Sequence, residues 1–82
     1  MLFLRLTGGA ALSLLSLPGW ERERVSDAII LLTTDPRPEF ANRLAVPAGE
    51  SLQIWVGERR VQYEIFKDDD ADDVGVIVFA II

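Results

Sequence analysis

The last nine residues, Val74-Gly-Val-Ile-Val-Phe-Ala-Ile-Ile82, constrain the fold more than any other part of the chain. In a strand, side chains alternate between faces, so Val74, Val76, Val78, Ala80 and Ile82 share one face and Ile77, Phe79 and Ile81 the other. Both faces are apolar, and a strand of that kind is covered on both sides. A chain of 82 residues has one core to offer and buries only about 60% of the surface its unfolded form exposes. The second face therefore needs either a segment of the same chain, such as the N-terminal residues, or another subunit.

Period-two patterning recurs upstream. Leu2, Leu4 and Leu6 alternate with Phe3, Arg5 and Thr7. Gly8-Gly9 is a turn signal, and Ala10, Leu12 and Leu14 then suit the return strand of a hairpin. Trp20 to Asp27 reads equally as a helical turn or an edge strand with paired charges, while the short apolar run Ala28 to Thr34 reads as a buried strand. Two prolines, Pro36 and Pro38, stop whatever precedes them. Asn42 to Val46 reads as a short strand and Leu52 to Val56 as another. Gly57-Glu58 reads as a turn, and Val61 to Phe66 as a third strand of this half. About seven short strands result, with turn residues every 8–12 positions or so. The expectation is a single all-β domain spanning residues 1–82, a small antiparallel sandwich or barrel with little or no helix.

Composition removes several classes of chemistry. There is no Cys and no His, so disulfides, thiolate zinc sites and the commonest general base are all excluded. A domain this small usually draws stability from a disulfide, a metal or a partner, which leaves the partner. The net charge of −5 argues against a nucleic-acid surface, and the arginines are scattered apart from Arg22/Arg24 and Arg59/Arg60. Arg5 is the single charge before Glu21, but Thr7, Gly8, Gly9, Ser13 and Ser16 interrupt the apolar run. Neither a cleaved signal nor a membrane anchor is expected there.

The acidic run Asp68, Asp69, Asp70, Asp72, Asp73 begins with the one-three-five spacing of a calcium loop. It then fails: Asp73 stands where that loop needs glycine and Phe79 where it needs a bidentate glutamate. A solvated hairpin tip, with weak cation binding at most, is the expected role. The serines Ser13, Ser16, Ser26 and Ser51 have no histidine to activate them, and Lys67 is the only lysine. Gly8-Gly9 is followed by no G-K-[ST], so it is not a phosphate loop. No catalytic residue, metal ligand or cofactor contact is assigned.

The stretch Arg43-Leu-Ala-Val-Pro-Ala-Gly-Glu-Ser-Leu-Gln-Ile54 resembles a phrase found in small β-domains of tailed-phage virions. That resemblance implies a capsid decoration, head-fibre or tail accessory protein, commonly a homotrimer. The segment Gly49-Glu-Ser-Leu-Gln-Ile54 is also similar to the first hairpin of the carbon storage regulator family, small RNA-binding β-dimers. Here that hairpin begins mid-chain and the C-terminus is a strand.

The expected function is therefore that of a non-catalytic virion structural protein acting through protein packing; the alternative is a small acidic regulatory binding protein, a β-dimer like the carbon storage regulators that binds RNA or a host protein. The partners expected are copies of the chain, as a trimer or dimer, or a capsid or tail. Nucleic acid, membrane and cofactors are not expected. The expected location is the virion, or otherwise the cytoplasm. The interface is placed at Trp55, Val76, Ile77, Val78, Phe79, Ile81 and Ile82, with tryptophan as the type of residue that anchors interfaces.

Overall fold

In a computed structural model, residues 3–45, 50–68 and 73–82 of the chain are described. Thr7 decides the first departure from an all-β reading. Its extended backbone (φ −66°, ψ 161°) and its Oγ1, which accepts the Ala10 N–H at 3.2 Å, form a helix N-cap. The chain therefore runs β1 (Phe3–Leu6) directly into α1 (Gly8–Leu15). Gly8-Gly9 is the first turn of that helix and not a hairpin turn. Ala10, Leu14 and Leu17 recur at i, i+4 and i+7 and pack into the core, while Leu12 and Leu15 point outward at 69% and 64% exposure.

The second departure is α2 (Gly19–Leu31), which absorbs both the ambiguous Trp20–Asp27 stretch and most of the expected strand at Ala28–Thr34. Val25, Ile29 and Leu32 are buried and Ala28 is partly so, again at helical spacing. An unbroken apolar run carries no period of its own, so AIILL fits either element until its neighbours are placed. Arg59 fixes the helix entry: its Nε and Nη2 donate to the two carboxylate oxygens of Glu21 at 2.8 and 3.0 Å.

Beyond the helices, β2 (Asn42–Arg43), β3 (Glu50–Val56), β4 (Arg59–Asp68) and β5 (Asp73–Ile81) form an antiparallel meander. β1 adds to its far side in parallel with β5, giving the order β1-β5-β4-β3-β2. Gly57 makes the tight β3–β4 turn possible by adopting φ 62°, a left-handed value that side chains disfavour. The turn and the strands on either side of it fall where the sequence put them.

Among the described residues the architecture is thus an α/β two-layer fold with a five-stranded mixed sheet and two helices, and not an antiparallel sandwich or barrel of seven strands. Both helices pack on one face, α1 chiefly on β5 and α2 on β3. Between the layers lie Ile54, Val61, Tyr63, Val76 and Val78, all 0–1% exposed. Helices supply what the sequence reading looked for in a second sheet.

The terminal strand also departs from simple alternation. Tyr63 pairs with Val78 but Gln62 with Ala80, so Phe79 is an extra residue at a bulge. The bulge resets the phase: Ile81, paired with Val61, joins Val76 and Val78 in the core, while Ile77 and Phe79 remain on the uncovered face. On that face Gly75 lies between Phe3 and Phe66, whose rings meet edge-on with centroids 4.9 Å apart.

Candidate functional site: an apolar groove beside an open strand edge

The connection from α2 to β2 forms the wall of a concavity. Its backbone first continues in a loose helical turn, with the Asp35 N–H donating to Leu31 O at 3.0 Å. Pro36 and Pro38 then end the helix, because proline has no N–H to continue it. Two side-chain contacts hold the wall to the sheet. Tyr63 Oη donates to the Pro36 carbonyl at 2.7 Å. Arg37 Nε and Nη2 donate to the Glu50 carboxylate at 2.6 Å each, the fork geometry that arginine alone provides.

Between this wall, α2 and β3 lies a groove with a cavity volume of about 440 Å³. Leu31, Phe40 and Trp55 line it and are largely exposed, at 67%, 67% and 53%; Ile54 and Val56 line it from the helix-covered face of β3, whereas the Trp55 side chain, opposite Arg60, projects from the other face. Exposed apolar residues gathered at one concavity mark a candidate binding surface. Arg24 closes one end beside Gly57, and Asp35 lies on the wall. Arg60 stacks its guanidinium 5.7 Å from the Trp55 ring centre and fixes the indole from the sheet side.

Titration at the site follows from these contacts. The Arg37 guanidinium holds the Glu50 carboxyl below its ordinary 4.5, helped by Arg43 at 3.6 Å. Arg59 does the same for Glu21. Burial pushes the Tyr63 hydroxyl up to about 12, with the charges of Asp35 and Glu50 adding to the effect. Each of these groups thus keeps its ordinary charge at neutral pH and serves to hold structure.

The structure divides the expected interface residues in three. Val76, Val78 and Ile81 are buried by the chain's own helices. Ile77 and Phe79 lie on the uncovered sheet face, with Phe79 36% exposed, and Ile82 is half-exposed beside Leu12 of α1. Trp55 alone reaches the groove. Leu31, Phe40 and Arg24 carried no signal in the sequence: an apolar residue at a helix end, another between two prolines and a strand, and one of several scattered arginines. Among the described residues no three His, Cys, Asp or Glu side chains gather as a metal site. The acidic tip, Asp68–Asp73, has residues 69–72 outside the described ones.

No known protein family matches the sequence, and no curated protein does. Solved structures do match the fold. One is a chain of the archaeal RelE-RelB complex from Pyrococcus horikoshii OT3, with a TM-score of 0.75 and 17% identity over 98% of this chain and 91% of that one. Another is a chain of the toxin-antitoxin complex RelBE2 from Mycobacterium tuberculosis, with a TM-score of 0.73 and 22% identity over 98% of this chain and 94% of that one. The chain therefore has the fold of a component of RelE-RelB complexes, nearly end to end on both sides.

These findings overturn the reading as a phage virion protein and, with it, the capsid or tail assembly and the virion location. The phrase Arg43–Ile54 that carried both resemblances spans β2, residues 46–49 that lie outside the described ones, and β3. It belongs to a mixed sheet backed by helices, where the turn-then-strand pattern is generic. What the matched structures have in common with the expectation is a protein partner, since both are two-protein complexes.

Proposed function

We propose that this chain is one member of a toxin–antitoxin-type pair, a regulatory protein that acts by holding a second, different protein chain. The groove carries the reading: Leu31, Phe40 and Trp55 line it as exposed apolar residues, which a partner seated at the edge of β3 would remove from water. Supporting it, both matched solved structures are complexes of this kind, and the present chain aligns with one chain of each over 98% of its length. The chain's own role is proposed to be binding and not catalysis. It has no His or Cys, and Glu21 and Glu50 are each neutralised by an arginine fork.

The test is co-expression with the products of the genes on either side of its own. A one-to-one or two-to-two complex that survives gel filtration, with Trp55→Ala and Leu31→Ala weakening it, is the expected result. A chain that remains alone beside those products overturns the pair. Cleavage of a mixed RNA substrate by the isolated chain overturns the non-catalytic part.

A further inference from the structure

The backbone beside the groove is as informative as its side chains. Gly57-Glu58 is a two-residue turn flanked by the pair Val56–Arg59, which is hydrogen-bonded in such hairpins. Bonded pairs alternate, so Val56, Ile54 and Leu52 turn their amides toward β4, and Trp55, Gln53 and Ser51 turn theirs toward the opposite edge. The Leu44 N–H, donating to Ser51 O at 2.8 Å on that edge, agrees. β2 covers the edge at Leu52 and Gln53 and does not extend from there toward Trp55. Continued backward, it would place Phe40 opposite Trp55, but the chain turns aside there, with the Ala41 N–H donating to Pro38 O at 3.0 Å. Among the described residues no strand pairs with that edge at Trp55, so its N–H and C=O lie at an open strand edge beside an apolar groove.

Such an edge is a template for another strand. Its electrostatics specify the strand's chemistry. Arg24, at the groove's end, is exposed and makes no hydrogen bond or ion pair with the described residues, and the carboxylate it influences, that of Glu21, is already held by Arg59. A segment lying there would meet a cation at the Gly57 end and apolar side chains along its length.

We propose that the β3 edge at Trp55 binds an extended segment of a protein partner as an added strand, its alternate apolar residues in the groove and a carboxylate on Arg24. This rests on the pair-forming reading and names where and how the second chain would sit. A short partner strand gains two backbone hydrogen bonds at Trp55. It also gains shelter for its apolar side chains against Leu31 and Phe40 and a charge contact at the rim.

The experiment uses the full chain, labelled with nitrogen-15, and two blocked peptides. One alternates valine with threonine and ends in aspartate; the other is identical but N-methylated on alternate amides. The expected result is saturable movement of the Trp55 and Gly57 amide signals by the first peptide at millimolar concentration or below, and none by the second. Arg24→Glu, an exposed change that leaves the fold intact, is expected to weaken binding about tenfold, and lysine in place of the peptide's aspartate to restore it. Shifts confined to the other sheet edge at Phe3–Leu6, no saturation, or equal binding of the methylated peptide would each overturn the proposal. In the complex with the adjacent gene's product, Trp55 N–H should exchange slowly with deuterium. Exchange as fast as in the free chain, in a complex that forms, removes this site and leaves the pair standing. Failure of the complex to form removes the pair, and the peptide titration still decides the edge.

Discussion

Tyr63 Oη donates to the carbonyl of Pro36 at 2.7 Å across a gap of 27 residues in sequence. The ring is fully buried in the middle of β4, and the acceptor lies on the wall of the groove. One hydrogen bond thus ties the centre of the sheet to the segment that shapes the candidate binding surface.

Removing it should be measurable. Tyr63→Phe leaves the ring and takes away the donor, which costs about 1–2 kcal/mol for a hydrogen bond of this kind and lowers the melting temperature by roughly 4–8 °C per kcal/mol. Calorimetry of the variant checks it. An unchanged melting temperature would show that the wall is held by Arg37 and Glu50 alone.

The same hydroxyl sets an alkaline limit. It ionises near its ordinary 10.0 in the unfolded chain and at about 12 in the folded one. Below about pH 10 both states are protonated and Tyr63 adds no pH dependence. Between about pH 10 and pH 12 the unfolded state loses the proton first, so stability falls as pH rises. Tyr63 is the only tyrosine, so an ultraviolet absorbance titration of the native and urea-unfolded chain reads both values directly.

At the acid end the sign reverses. Glu21 and Glu50 are held below their ordinary 4.5 by Arg59 and Arg37. Their contribution is present above about pH 4.5 and is lost as the pH falls through the lower folded values, because the unfolded state then binds more protons. Urea midpoints measured from about pH 6 down to pH 3 should decline, and the double variant Glu21→Gln, Glu50→Gln should decline less steeply.

The bulge at Phe79 makes a prediction that simple alternation reverses. Without it, residues 79 and 81 would share a face. With it, Ile81 is 7% exposed in the core and Phe79 is 36% exposed on the open face. Ile81→Asp should therefore unfold the chain, since an unpaired buried charge costs more than about 4 kcal/mol, while Phe79→Asp should stay folded within about 1 kcal/mol of the parent. Circular dichroism and urea titration of the pair decide the phase.

Gly75 offers a test of the uncovered face. A Cβ there would lie 2.6 Å from Phe3 Cζ and 2.7 Å from Phe66 Cζ, closer than carbon atoms pack. Gly75→Ala should cost about 1–3 kcal/mol by overpacking, and Phe3→Ala in the same chain should return part of that loss. Additive effects of the two changes would show that the rings do not meet over Gly75.

The C-terminal half was legible in the sequence because its information is local. A left-handed glycine between two alternating runs fixes a hairpin, and Gly57 with Leu52–Val56 and Val61–Phe66 does so. The absence of His and Cys likewise bounds the chemistry at the level of the sequence. The N-terminal half was not legible in this way. Ala10, Leu12 and Leu14 satisfy period two, Ala10, Leu14 and Leu17 satisfy the helical period, and AIILL satisfies neither and both. Tertiary packing settled these segments as helices, because the sheet left one face to cover and an amphipathic helix covers it with fewer open edges than a second sheet. The extra residue at Phe79 was invisible for a similar reason: a bulge is a relation between two strands, and β5 alone does not contain it. The groove belongs wholly to the tertiary structure. Leu31, Phe40, Trp55 and Arg24 come from a helix, a loop and a strand, and only the fold brings them together beside an edge that β2 is too short to close.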